Sequence, residues 1–95
     1  MAIDDFDILN EKARVLRVLA HPVRLCIVRG LWEKGSCNVS HMQSCLETPQ
    51  STLSQHLQRL RAAGIVSAVR NGTEMKYTLN MELIGAWLPV LFSEK

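Results

Sequence analysis

The apolar positions of the chain change their spacing from one segment to the next, and that change predicts the elements. Over residues 3–20, Phe6, Leu9, Ala13, Leu16 and Ala20 recur at intervals of three and four, which gives one apolar helical face. The His21-Pro22 step breaks that helix, because a residue before proline is pushed out of the helical region. Pro22 suits the first turn of a second helix, PVRLCIVRGLWEK, which ends at Gly35. A short third helix fits VSHMQSCL, residues 39–46, followed by a loop at ETP. The fourth lies within PQSTLSQHLQRLRAAGIV, residues 49–66, where Leu53, Leu57 and Leu60 form an inner stripe and Gly64 marks the stop.

The period then shortens. Residues 65–70 have strand composition, and Asn71-Gly72 signals a tight hairpin because both residues tolerate positive φ. TEMKYTL returns with Met75, Tyr77 and Leu79 alternating on one face. Asn80 is placed to cap a last helix, MELIGAWLPVLF, in which Pro89 should kink or end the regular part and Gly85 eases the clash with its ring. There is no internal repeat, low-complexity segment or linker. The predicted fold class is mainly α with a small β-hairpin wing, as one domain over residues 1–95 in the order helix, helix, helix, helix, hairpin, helix.

The fourth helix combines a plain interior with an outer face full of hydrogen-bonding groups. A short helix, a turn and a second helix with a polar nose make a helix-turn-helix. Gln50, Ser51, Thr52, Ser54 and Gln55 occupy the first turns, where a helix enters the major groove. Glutamine can bond adenine bidentately, serine and threonine can bond bases or phosphate, and Arg59 can take guanine or phosphate. His56 is read as a phosphate contact or as simply exposed. Arg70 and Lys76 supply the charge of a wing that would reach the flanking backbone or minor groove. The plainer alternative is a polar solvated helix in an ordinary bundle; the hairpin directly after it favours the winged reading.

Charge supports the same partner. The net charge is only +2, yet residues 1–11 carry Asp4, Asp5, Asp7 and Glu11 with no base, while residues 50–77 carry Arg59, Arg61, Arg70 and Lys76 against Glu74 alone. The basic charge gathers beside the fourth helix, which suits a polyanion. A chain of 95 residues buries a modest core, so a partner subunit would help. Ile84, Trp87, Leu88, Leu91 and Phe92 are read as part of a homodimer seam formed by the terminal helices, with closure of the monomer core as the alternative. No apolar run is long enough to span a bilayer, and the acidic N-terminal segment is unlike a signal peptide. The expected location is the cytoplasm, where three cysteines would be reduced.

LAHPVRLCIVRGL, PQSTLSQHLQRLRAAGIV and VRNGTEMKYTL together resemble the ArsR/SmtB family of bacterial winged-helix repressors over about residues 13–79. The resemblance implies a homodimer joined through its first and last helices, bound to a near-palindromic double-stranded operator with recognition helices roughly 34 Å apart. It also implies an inducer that releases the DNA. The family's cysteine pair at the third helix falls here on Asn38 and Ser40, and its acid and histidine site on the last helix has no counterpart in MELIGAWLPVLF. A pairing of second-helix and last-helix cysteines is also missing, since no Cys follows residue 45.

Cys37, His41 and Cys45 remain, spaced by fours. Cys37 and Cys45 are candidate sensor thiols for an oxidant or reactive sulfur species, and the three residues are candidate ligands for a soft metal(loid) ion, the one cofactor suggested. On an ideal helix eight residues rise about 12 Å, too far for the outer two to share an ion or to form a disulfide, which needs Cα atoms within about 7 Å. Either use requires Cys37 in a turn that folds back, or ligands from the other subunit. The alternative is that all three cysteines are small packing residues; Cys26, between Leu25 and Ile27, is read as core, and His41 as a surface or capping residue. An enzyme is not expected, for want of a phosphate loop, paired carboxylates in an apolar setting or a Ser–His–acid set. A winged-helix module that binds protein is the competing function.

Overall fold

The computed structural model describes residues 3–93, with side chains from Asp5 onward, so the side chain of Asp4 in the acidic segment lies outside the described residues. Helix α1 spans Ile3–Leu19 and α2 spans Pro22–Lys34. Between them His21 is extended (φ −153°, ψ 130°), as a residue before proline should be, and its ring Nδ1 accepts from Val23 N–H at 3.1 Å to cap α2. Gly35, at φ 88°, closes α2 by donating to the Leu31 carbonyl. The two-residue strand β1, Cys37–Asn38, comes next and leads into α3, Val39–Leu46. Asn38 caps α3, its side-chain oxygen accepting from His41 N–H at 2.8 Å. Helix α4 spans Gln50–Ala62, β2 Val66–Asn71 and β3 Glu74–Leu79.

Strand β1 has no antecedent in the hydrophobic pattern. It pairs antiparallel with β3, Cys37 opposite Tyr77 and Asn38 opposite Lys76, and makes a sheet of order β1-β3-β2. The hairpin turn also sits one residue later than predicted. Asn71 pairs with Glu74, which leaves Gly72 and Thr73 as the loop. Gly72 alone has positive φ (67°), so one permissive residue at the first loop position suffices.

The core is built from the inner faces of all four long helices. Val15 and Leu19 of α1, Ile27, Val28 and Leu31 of α2, Met42 of α3 and the predicted stripe Leu53, Leu57 and Leu60 of α4 are all buried, with Ile65 and Val66 at the entry to β2. The face read from α1 is therefore not the one that closes this core. Phe6, Leu9 and Leu16 stay 53%, 45% and 52% exposed, because α1 carries a second apolar stripe, Val15 and Leu19, turned toward the other helices.

The last predicted helix is two pieces, α5 at Met81–Ile84 and α6 at Leu88–Leu91. Pro89 has no N–H to continue the ladder, and the chain tightens upstream of it, where Trp87 N–H bonds the Ile84 carbonyl at 2.9 Å. Ile84 and Leu88 are fully buried within the single chain, so two of the five residues assigned to a dimer seam instead close the monomer core. Trp87 and Phe92 are half-buried against that core, and the Phe92 ring lies 6.2 Å from Trp32 of α2. Leu91 and Val90 remain exposed, Val90 at 81%. Among the described residues no helix is long and apolar enough to cross a membrane.

Candidate nucleic-acid interface and thiol cleft

Helix α4 is pinned by its leucines and presents the opposite face to solvent. Gln50, Ser51, Thr52, Ser54, Gln55 and Arg59 are all exposed on it. Gln58 and Arg61 are exposed on the same helix and belong to the same polar surface. The sequence pattern assigns neither as a base or phosphate contact, although Arg61 belongs to the basic cluster. The segment QSTLSQHLQRLRA contains no acid to repel a phosphate.

His56 departs from this group. It is half-buried, its ring centroid 4.5 Å from that of His21, and its Nδ1 lies 3.1 Å from Nη1 of Arg24. Burial, and then the nearby His21, Arg24 and Arg59, push its pKa down, so the neutral ring can accept the Arg24 N–H. Arg24 Nε also donates to the Val18 carbonyl of α1. His56 thus turns inward and ties α4 to the junction of α1 and α2. The spacing contained the signal: position 56 lies three after Leu53 and four before Leu60, on the flank of the buried stripe.

The exit of α4 is held by residues from both ends of the chain. Arg14 of α1 donates to the Ala63 carbonyl at 3.3 Å while its guanidinium pairs with Glu11 at 2.6 Å. Asn80, before α5, donates from Nδ2 to the Gly64 carbonyl at 3.0 Å and from its backbone N–H to the Ile65 carbonyl at 2.8 Å. Gly64, at φ 77°, makes the turn that brings these carbonyls together.

On the wing, Arg70 and Lys76 are exposed, and the register assigns them to opposite faces. Arg70 lies across from Met75, and Val69 across from Lys76, so neighbouring positions alternate sides. The two cations therefore flank the ribbon. The wing is tied back to α3 by Asn38, whose Nδ2 donates to Glu74 Oε2 at 3.2 Å.

The three cysteines are free and line one largely apolar cleft of about 200 Å³ between α2, β1 and α3, walled by Ile27, Leu31, Met42 and Leu46, with Arg29, Glu33, Lys34 and His41 also lining it. Cys45 is exposed, with its Sγ 3.7 Å from Nε2 of His41 one helical turn away. Cys37 is half-buried at the head of β1, where burial pushes its thiol pKa up. Lys34 and the Asn38 backbone oppose that shift, and Cys45 adds to it. Cys26, read as core, is half-buried and opens onto the same cleft. The candidate metal trio does not assemble: among the described residues no group of three His, Cys, Asp or Glu is placed to hold an ion. Cys37 is in a strand before α3 begins, so it does not share a helical face with His41 and Cys45.

The helix-turn-helix domain family matches residues 19–69. The SmtB transcriptional repressor of Mycobacterium tuberculosis is 44% identical over 73 residues, 77% of this chain and 53% of that protein, so the chain spans about half the length of that relative. The transcriptional repressor PagR of Bacillus anthracis is 39% identical over 72 residues, covering 76% of this chain and 72% of PagR. The PagR crystal structure superposes with a TM-score of 0.81 at 34% identity, over 90% of this chain and 98% of that one. The homodimeric winged helix-turn-helix DNA-binding domain of Mb0332 from Mycobacterium bovis superposes with a TM-score of 0.82 at 26% identity, over 96% of this chain and 83% of that domain. With its helix-turn-helix, its hairpin wing and these relatives, the chain belongs to the ArsR/SmtB family of winged-helix transcriptional regulators.

Proposed function

We propose that this chain is a transcriptional repressor that binds double-stranded operator DNA as a homodimer. The observation that carries the reading is the outer face of α4, polar and free of acids, on a helix pinned by three buried leucines. Gln50, Ser54 and Gln55 would read base edges, Ser51 and Thr52 would bond bases or phosphate, and Arg59 would bond guanine or phosphate. Arg70 and Lys76 would neutralise phosphates on either side of the wing. No large apolar side chain stands on that face of α4, which disfavours a protein-binding role.

Two copies would join through the exposed apolar side chains of α1 and α6, including Phe6, Leu9, Leu16, Val90 and Leu91. SmtB and PagR are named as transcriptional repressors, and the Mycobacterium bovis domain as a homodimer. The protein would act in the cytoplasm, where bacterial DNA lies, and the reading includes no catalysis. Release of DNA would be triggered at the cleft thiols. Among the described residues no three-donor set stands ready for a soft metal(loid) ion, so an oxidant, reactive sulfur or another thiol-reactive species fits the cleft better.

Gel shift with DNA from upstream of the protein's own gene tests the DNA claim. A specific shift that weakens steeply as salt rises is expected; no shift at low salt refutes it. Replacing Cys37 and Cys45 together by serine should leave DNA binding intact and abolish release. Normal release by that double variant would make the thiols packing residues.

A further inference from the structure

We propose that Cys45 is an acceptor site for carbon electrophiles, α,β-unsaturated carbonyl compounds whose apolar body seats in the cleft between α2 and α3. The proposal deepens the thiol-sensing reading above and names its inducer class.

Three observations converge on it. Cys45 is the exposed thiol of the three, at the mouth of a largely apolar cleft of about 200 Å³, so a reagent meets sulfur and apolar wall together. Nε2 of His41, 3.7 Å from Cys45 Sγ, can take the thiol proton in the tautomer that leaves it bare. The geometry also disfavours the two competing chemistries. Asn38 caps α3 seven residues before Cys45, a rise of about 10 Å along the axis, and Cys37 precedes the cap. A Cys37–Cys45 disulfide needs Cα atoms within about 7 Å, so that pair cannot close without movement at the head of α3. Among the described residues no three-donor set is available for an ion. One-thiol addition needs neither.

The step balances without an outside oxidant. The Cys45 proton passes to His41 Nε2, and the thiolate sulfur forms a bond to the β-carbon of the electrophile. The alkene π pair moves toward the carbonyl oxygen as an enolate, and the proton on His41 returns through water to the α-carbon. The sum is simple addition of S–H across C=C. The adduct body then wedges α3 away from α2. Because Asn38 joins the head of α3 to Glu74 on β3, and α3 leads through the turn at Thr48-Pro49 into α4, the wedge disturbs wing and recognition helix together.

The test uses the full chain and two maleimides with the same reactive group, N-cyclohexylmaleimide and a carboxyl-bearing maleimide, with adducts located by peptide mass mapping. At substoichiometric reagent, Cys45 should be labelled before Cys26 and Cys37. The apolar reagent should be preferred by about tenfold over the charged one, relative to their ratio on the urea-unfolded chain, since the cleft takes its ring out of water. Unreactive N-cyclohexylsuccinimide should protect Cys45 in the unaltered protein. His41→Gln should slow both reagents, leaving the backbone cap bond from residue 41 intact. Equal preference for the two reagents, absence of protection, first labelling at Cys26 or Cys37, or a disulfide formed faster with peroxide than any adduct would overturn the site.

Gel shift on chain labelled only at Cys45 separates site from function. At least about tenfold weaker operator binding than the unlabelled chain is expected, a readily resolved change. If the unlabelled chain binds no DNA, the repressor reading fails while the labelling result still stands or falls by itself. If the unlabelled chain binds and the labelled chain binds equally well, the inducer role is overturned.

Discussion

Asn80 sits where the exit of the recognition helix meets the start of α5, and its two side-chain bonds can be separated by substitution. Its oxygen caps α5 by accepting from Leu83 N–H at 3.3 Å, and its Nδ2 donates to the Gly64 carbonyl at 3.0 Å. Asn80→Ala removes both. The cap is worth about 1 kcal/mol and the second bond, on the exposed side, about 0.5–1 kcal/mol. The sum is a loss of about 1.5–2 kcal/mol, or a fall in Tm of roughly 6–16 °C for a domain of this size. Asn80→Asp keeps the cap acceptor but turns a carboxylate oxygen toward the Gly64 carbonyl, so it should lose the second bond only and fall between wild type and alanine. Urea and thermal unfolding at one fixed protein concentration measure both variants, since dimerisation would make the midpoint depend on concentration. A cost below about 0.5 kcal/mol for alanine, or aspartate no better than alanine, would refute this account of the helix exit.

Gln55→Ala should weaken operator binding by about 1–3 kcal/mol with unfolding unchanged, read by gel shift beside urea denaturation. Arg70→Ala should instead weaken binding to all sequences alike and lower the salt slope by about one, which a titration series over salt resolves. Leu57→Ala empties a fully packed site beneath α4 and should cost about 3–5 kcal/mol in urea unfolding. His56 gives stability a pH dependence of known sign. Its folded pKa is held below the ordinary value, so as pH falls through about 6.5 the unfolded chain takes up the proton first and stability declines. The decline ends once pH drops below the folded value. His56→Gln should remove this part of the profile, and a wild-type-minus-variant difference that stays flat between pH 5 and 8 would refute it.

The elements that were legible in the sequence are those whose boundaries are set by local chemistry. Pro22 and Gly35 delimit α2, and the Leu53, Leu57 and Leu60 stripe fixes which face of α4 is hidden. What escaped depends on partners far along the chain. Strand β1 is two residues long and exists because β3 offers it an edge, so no alternation could announce it. The shared cleft escaped because Cys26 is on α2 and Cys45 on α3, and only packing brings them to one wall. His56 is different: its place on the flank of the leucine stripe is readable from spacing, while its chemistry taken alone points to phosphate. The break at residues 85–87 was foreshadowed by Pro89, yet it falls upstream because the missing N–H disrupts the turn before the proline.

These contacts bear on how a signal could reach DNA. Helix α4 is clamped at mid-length by His56 against His21 and Arg24, and at its exit by Arg14 and Asn80. Arg14 belongs to α1, the helix that also carries the exposed Phe6, Leu9 and Leu16, and Asn80 begins the segment that ends in exposed Val90 and Leu91. The surfaces proposed to join two copies are thus within one hydrogen bond of the backbone that aims α4. A rotation at the subunit seam would move Ala63 and Gly64 with it, while a wedge in the thiol cleft would act from the opposite, N-terminal side through α3. Both inputs meet on one rigid helix, so changes in either its spacing or its tilt would alter the fit of two copies to successive turns of DNA.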